Sequence, residues 1–162
     1  MYLGGAEILR RAREFSLIEG FTQEGVQGSG VDLRIDKLFE LDGGARLSRN
    51  ERVLPAAREL PGESFVLQPR SYYLCLTAEK VNMPDDLVAF ILPRSTLFRG
   101  GVSLKSAVVD PGYKGALTMG LMNETDREFH LERGARIAQI VFSYVSGDAT
   151  SYRGKYQGGR VV

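Results

Sequence analysis

The chain has 162 residues, 43% of them hydrophobic and 25% charged, with a formal net charge of +1. That is the length and composition of one domain able to bury its own core, and the near-neutral charge removes any general electrostatic case for nucleic-acid or membrane binding. With Cys75 the only cysteine and His130 the only histidine, no disulfide can form within the chain, no Cys/His zinc site or zinc base-deaminase ligand set can be assembled, and any Ser-His or Cys-His catalysis would have to use His130.

The N-terminal stretch MYLGGAEILRRAREF carries charges where a secretion signal needs an apolar run, and no segment approaches the roughly 20 apolar residues of a membrane span. A cytoplasmic protein is the expectation. Residues 6–15 place Ile8, Leu9, Ala12 and Phe15 on one face of a helix and arginines on the other. Short apolar runs follow: VDLRI, KLFEL, SFVL, YYLCLTAEK, LVAFIL, ALTMGLM, EFHL and ARIAQIVFSYV. They are broken by Gly, Pro, Asn and Asp and predict strands of a mainly β sandwich, jelly roll or barrel-like fold. RSTLFRG, residues 94–100, reads as one helical turn capped by Ser95 or Thr96. His130 reads as a strand-face residue. Residues 1–147 form one domain in this reading, and 148–162 a mobile closing tail. The tail's Tyr152, Tyr156, Arg153, Lys155 and Arg160 suit ordering over something flat and anionic.

Two glycine-rich stretches are decoys. GDATSYRGKY has the wrong spacing for a phosphate-binding loop and Tyr156 where Ser or Thr is needed. GSGVDL, residues 28–33, has Leu33 in place of the third glycine of a dinucleotide fingerprint. Both read as turn glycines.

Four short stretches gather acids, amides, hydroxyls and arginines at strand ends: GSGVDLR (28–34), PRSTLFR (93–99), VVDPGYKG (108–115) and ERGARIAQ (132–139). Each has a plain reading. Asp32 suits a turn, Arg94 a surface ion pair, and Gln139 a backbone contact. Asp110 followed by Pro111 and Gly112 suits a β-turn.

Taken together and in order, these stretches resemble the family of homotrimeric dUTPases and dCTP deaminases. GVDLR, PRSTL, VVDPGYKG and GARIAQ are similar to four of its motifs, and YRGKYQG is similar to the aromatic-basic tail of the deaminase branch. The likeness is greatest to a dUTPase of the dCTP-deaminase-like, archaeal-type branch. It implies a distorted jelly-roll or β-clip fold with one N-terminal helix and a short helical turn near 95–100. It also implies a homotrimer with shared active sites, dUTP as the substrate, Mg²⁺ as the cofactor, and neither nucleic acid nor membrane as a partner.

The resemblance assigns roles. Asp110 would activate the water that attacks the α-phosphorus. Asp32 and Gln139 would hold Mg²⁺ through water. Arg94 and Ser95 would contact phosphates, with Thr96 a second hydroxyl and Arg136 in support. Tyr113 would lie under the deoxyribose, Tyr156 would stack on the base, and Lys155 would reach a phosphate. Arg99 matches an arginine of the deaminase pattern.

The two activities differ in what they need beside the base. Deamination needs a proton shuttle, which the deaminases supply with a Glu on the strand after the Asp-x-x-aromatic turn. Counting from Asp110 to Asn123 puts that position at Gly120, and using Glu124 instead would break the match at Asn123. Phosphate-ester hydrolysis needs one ionised carboxylate, with cations offsetting charge on the phosphates. The expectation is therefore a dUTP diphosphatase in which Gly120 lets the base approach closely, with a zinc-independent dCTP deaminase as the alternative. A nucleotide-binding regulator that merely kept the fold would not need Asp32, Asp110 and Gln139. One departure from the dUTPase pattern is the lack of an Asn shortly before Asp110, which leaves Ser106 or backbone to serve.

Overall fold

One long strand that changes partners halfway organises the computed structural model, which describes residues 1–162. In chain order the elements are helix α1 (Gly5–Phe15), β1 (Ile18–Glu19), β2 (Val26–Gln27), β3 (Gly30–Asp42), β4 (Arg46–Leu47), β5 (Arg52–Val53), β6 (Ala56–Leu60), β7 (Ser64–Leu67), β8 (Tyr72–Asn82), β9 (Leu87–Pro93), helix α2 (Ser95–Arg99), β10 (Val102–Lys105), β11 (Lys114–Asn123), β12 (Phe129–Glu132) and β13 (Arg136–Tyr144). The first half of β3 pairs antiparallel with β2 and β13, and its second half with β8 and β6. The main sheet runs β10-β11-β8-β3-β13-β9. VDLRI and KLFEL are thus one strand, bulged between Ile35 and Lys37 where it passes from one set of partners to the other.

Burial follows from these pairings. β8 has one wet face and alternates cleanly, with Tyr73, Cys75, Thr77, Glu79 and Val81 all inward. The first half of β3 is covered on both sides and is buried almost continuously, from Gly30 through Leu33. Phe142, Met119, Leu38 and Leu87 join them in one core. The Cys75 thiol is fully buried, and burial pushes its pKa up to about 12, so it is an inert core group. His130 lies exposed on β12, 3.5 Å from Glu128.

Glu79 is a charged side chain with no solvent exposure. It is tolerated because Oε2 accepts from the Arg34 backbone N–H at 2.8 Å and Oε1 from Arg34 Nε at 2.7 Å. The same guanidinium donates to the Gly20 carbonyl. The pair joins β3 and β8 to the turn after β1, and removing either partner would leave a buried charge alone. Asn123, also fully buried, closes the β11–β12 turn. Its amide donates to the carbonyls of Leu67, Gln68 and Arg127, and its Oδ1 accepts from Thr125.

Three local expectations are corrected. Phe15 is 59% exposed rather than packed with Ile8, because Ser16 takes a left-handed conformation and ends the helix there. The N-cap of α2 is Arg94, and neither Ser95 nor Thr96 caps the helix because Ser95 is already its first residue. Gly30, read as a turn glycine, lies within β3. No helix is long and apolar enough to cross a membrane.

Helix α1 is tied down by charge. Arg11 makes a two-pronged contact with Asp86, at 2.8 and 3.1 Å, and reaches Glu7 at 3.1 Å. Hydrogen bonds from Arg10, then Arg11, bring the Glu7 pKa from 4.5 down to about 2, and Arg11 lowers that of Asp86. A carboxylate whose folded pKa is depressed stabilises the fold above its unfolded pKa and loses that contribution as pH falls through the folded value. The protection factors of the α1 amides, taken relative to the intrinsic exchange rate at each pH, are therefore expected to fall between about pH 4.5 and about pH 2, and Asp86→Asn should lower them already at neutral pH. Unchanged α1 protection throughout would contradict this.

Candidate functional site

The Asp110 stretch folds as a tight turn. The Tyr113 N–H donates to the Asp110 carbonyl at 3.2 Å, and Gly112 sits at φ +78°, which the third position of a type II turn requires. The turn is tied to the loop after β8 by two backbone bonds, Met83 N–H to Tyr113 O and Gly112 N–H to Met83 O. On its other flank, Val109 and Ala89 exchange backbone bonds. The exposed Asp110 side chain is thus carried on a rigid base. Tyr113 is buried, and its hydroxyl donates to the Ala116 carbonyl at 2.6 Å. Burial, then the neighbouring Tyr152, raises the Tyr113 pKa, so its phenol stays protonated.

Asp110 borders a largely apolar cavity of about 530 Å³ and is the only side-chain carboxylate lining it. Tyr113, Ile91 and Val108 form the wall beside it. Tyr72, Leu74 and Thr118 come from β8 and β11, and Tyr152, Tyr156 and Arg160 from the tail. The tail, expected to be mobile from its composition, is folded back here over its own chain. Tyr152 N–H donates to Pro111 O at 2.7 Å and Gly158 N–H to Lys114 O at 2.8 Å. Gln157 accepts from Lys114 N–H at 2.8 Å and donates to Gly112 O at 3.0 Å. Tyr152 meets the Tyr113 ring edge-on at 5.5 Å. The aromatic tail thus closes on the turn that carries Asp110.

A second group gathers where β3, β13 and β9 end. Asp32 is buried, at 3% exposure, so it is not a turn acid. It contacts the Arg94 guanidinium, and its Oδ2 lies 3.2 Å from both Arg136 Nη1 and Gln27 Nε2. Gln139 is its cross-strand partner in the β13–β3 register. Arg94 is therefore drawn inward against a buried carboxylate rather than making a surface pair.

None of Asp32, Arg94, Ser95, Arg136 and Gln139 lines the Asp110 cavity. One chain brings Asp110, Tyr113 and Tyr156 together, and separately Asp32, Arg94, Arg136 and Gln139. Ser95 and Thr96 are exposed on α2. Arg99 is also exposed, its guanidinium 6.0 Å from the Phe98 ring centre. Lys155 lies over the Tyr156 ring at 5.0 Å. Glu124 is exposed and does not line the cavity. The Ser106 hydroxyl is engaged by the Ile91 carbonyl at 3.0 Å.

Gly120 is paired with Leu74. A Cβ there would lie 2.0 Å from the Tyr72 hydroxyl and 2.7 Å from its ring. The phenol fills the space a side chain at 120 would need. Sequence reasoning missed Tyr72, Thr118, Gln27 and Gln157, whose relevance depends on which strands and loops meet. Arg160 had been noted only as a tail cation.

A directly held Mg²⁺ does not fit the residues of one chain. The Asp32 carboxylate already faces two guanidiniums, and no three His, Cys, Asp or Glu side chains come close enough to hold an ion.

Residues 2–145 match the dCTP deaminase-like family. A probable deoxyuridine 5'-triphosphate nucleotidohydrolase of Methanothermobacter thermautotrophicus is 38% identical over 135 residues, covering 83% of this chain and 89% of that one. A dCTP deaminase of Pyrococcus furiosus is 36% identical over 149 residues, covering 91% and 88%. Among solved structures, a 2'-deoxycytidine 5'-triphosphate deaminase from Agrobacterium tumefaciens superposes with a TM-score of 0.70 at 21% identity. It covers 87% of this chain, which spans 47% of that one. A mutant dUTPase from phage phi11 of S. aureus, described for its coordination of a structural Mg(II) ion, superposes with a TM-score of 0.53 at 13% identity, covering 86% and 97%. These likenesses show the fold: mainly β, a jelly roll of the dUTPase and dCTP deaminase kind.

The contact between positions 72 and 120 predicts non-additivity. Gly120→Ala should destabilise the protein by roughly 1 kcal/mol, since Tyr72 must swing out of its packed position. Most of that loss should vanish when Tyr72→Ala is made first. Equal effects of Gly120→Ala in both backgrounds, measured by denaturant unfolding, would contradict the steric contact.

Proposed function

Because this chain belongs to the dCTP deaminase-like family, we propose that it is a dUTP diphosphatase, converting dUTP and water to dUMP and pyrophosphate. The observation that carries this reading is the inventory of the cavity: one side-chain carboxylate, Asp110, on a rigid turn, and none from position 120. A single ionised carboxylate suffices for water activation, whereas cytosine deamination needs a proton carrier beside the ring. Both activities occur in the names of relatives of similar identity, so the identity alone does not choose between them.

In the mechanism, Asp110 accepts a proton from a water aligned with the α-phosphorus. The water oxygen forms the new bond to phosphorus as the bond to the bridging oxygen breaks, and pyrophosphate leaves with the bonding electrons. Tyr113 packs under the deoxyribose, and its bulk excludes a 2'-hydroxyl. The aromatic walls and Tyr156 hold the pyrimidine ring, and tail closure keeps stray water out. Arg94, with Ser95 and Thr96 beside it, binds phosphate oxygens, and Arg136 holds Asp32 in place. Lys155 and Arg160 add positive charge from the tail. Arg99 stands apart on α2 and is given no step. Asp32 and Gln139 are the residues that would hold Mg²⁺ through water, and the ion would neutralise charge on the phosphates.

The separation of the two groups supports a shared site in a homotrimer, with Asp110 from one copy facing Arg94, Asp32 and Gln139 from the next. Apolar side chains exposed near both groups suit such contacts: Phe90, Leu92, Phe98 and Val108, the last three at least half exposed.

Two measurements test this reading. Asp110→Asn should lower kcat for dUTP by about 10²–10⁴-fold while a non-hydrolysable dUTP analogue binds nearly as before. Lost binding together with unfolding would instead make Asp110 a turn residue only. Mixed trimers refolded from Asp110→Asn and Arg94→Ala subunits, each inactive alone, should regain hydrolysis, because some sites then combine two intact halves. Mixtures that stay inactive although both variants assemble would place each whole site within one chain.

A further inference from the structure

Apart from Tyr152, whose hydroxyl accepts from the Tyr156 N–H at 3.3 Å, two cavity hydroxyls have no part in the proposed mechanism. Thr118 lines the cavity, and its Oγ1 is buried without any hydrogen-bond partner. Buried hydroxyls are seldom left so, and an orphan on a residue that lines a cavity points to something that binds there. Tyr72 also lines the cavity, with its hydroxyl beside Gly120 and engaged by no hydrogen bond that shifts its acidity. The β8–β11 register pairs Thr118 with Leu76, Gly120 with Leu74 and Met122 with Tyr72. Thr118, Gly120 and Tyr72 therefore share one face of that strand pair. The bare backbone at 120 lets the phenol lie across the strand towards Thr118.

We propose that the Tyr72 and Thr118 hydroxyls are the side-chain contacts to the polar edge of the pyrimidine ring. The assignment rests on the dUTP reading. The ring edge offers carbonyl oxygens and one N–H, and each hydroxyl has one donor and two acceptor sites. One hydroxyl donates to a ring carbonyl while the other accepts from the ring N–H. Burial raises the Tyr72 pKa, so the phenol keeps its proton at neutral pH and remains a donor. The tail residues Tyr152 and Tyr156 border the same cavity, and hydrogen bonds made behind such a cover are stronger than in open water. Position 120 then acts through Tyr72: a side chain there would push the phenol off the base.

The experiment uses the full chain with Tyr72→Phe and Thr118→Val, which remove one oxygen each and keep the shape. Steady-state dUTP hydrolysis is measured beside calorimetric titration with dUMP, and with inorganic triphosphate as a control for the phosphate subsite. Each variant should raise the KM for dUTP and the Kd for dUMP by about threefold to tenfold, with kcat within about twofold and triphosphate binding unchanged. Thr118→Val should not lower the melting temperature, because it removes an unsatisfied buried group. Unchanged KM and unchanged dUMP affinity in both variants overturn the inference while leaving dUTP hydrolysis intact. A parallel loss of triphosphate binding overturns it too, since the effect would then be general. If the wild type binds dUMP but does not hydrolyse dUTP, the diphosphatase reading fails, and the dUMP titrations alone decide the base contact. A wild type that binds no dUMP sinks both.

Discussion

The contact between Tyr72 and the backbone at Gly120 is the constraint on which the proposed function rests. A strand position between cavity-lining neighbours such as Thr118 and Leu74 usually offers a side chain. Here it offers none, and the space belongs to a phenol from the neighbouring strand. The polar side chains around the cavity are hydroxyls, one carboxylate and a tail arginine. Such a set can bind a pyrimidine and activate one water. It has no acid beside the ring to carry protons between water and an amine. The same phenol could not lie there over a Glu, which on the proposed reading adds a steric argument for hydrolysis to the chemical one.

A rigid base holds that cavity in place. Asp110 stands on a turn bonded on two sides by backbone, and Tyr113 is locked to Ala116. β8, which carries Tyr72 on its wet face, is anchored on its inward face by the Glu79–Arg34 pair and Cys75. The other group, centred on buried Asp32, is held with equal firmness by two guanidiniums and Gln27. Neither group is a loose surface cluster. Their separation within one chain is built into the strand pairings, and it is this separation that supports the proposed site shared between copies.

Much of this was legible in the sequence, for identifiable reasons. YYLCLTAEK announced a strand by its composition but not its faces, since polar Thr77 and Glu79 point inward while Leu74 and Leu76 are only half-buried. Asp110-Pro111-Gly112 announced its turn through Gly112, which alone tolerates the positive φ. Helix α1 was readable apart from its last turn, where Ser16 ends it and leaves Phe15 in solvent. VDLRI and KLFEL looked like two strands because the bulge at Ile35–Lys37 interrupts the period. β6 and β10 were missed because AAREL and VSLK are short and half polar. In the site, motif residues could be found but not their grouping. Tyr72 and Thr118 carry no local signal, since their meeting depends on strand register. The tail's composition suggested mobility, while its side-chain and backbone bonds to residues 111–114 are visible only once the turn is folded.

The central claim is that a cavity with one carboxylate and no acid at position 120 splits dUTP but cannot deaminate cytosine. The most direct measurement supplies the wild-type protein with dUTP and dCTP separately, with Mg²⁺, and assays both pyrophosphate and ammonia. Pyrophosphate from dUTP with no ammonia from dCTP is the predicted result; ammonia released from dCTP would contradict the account.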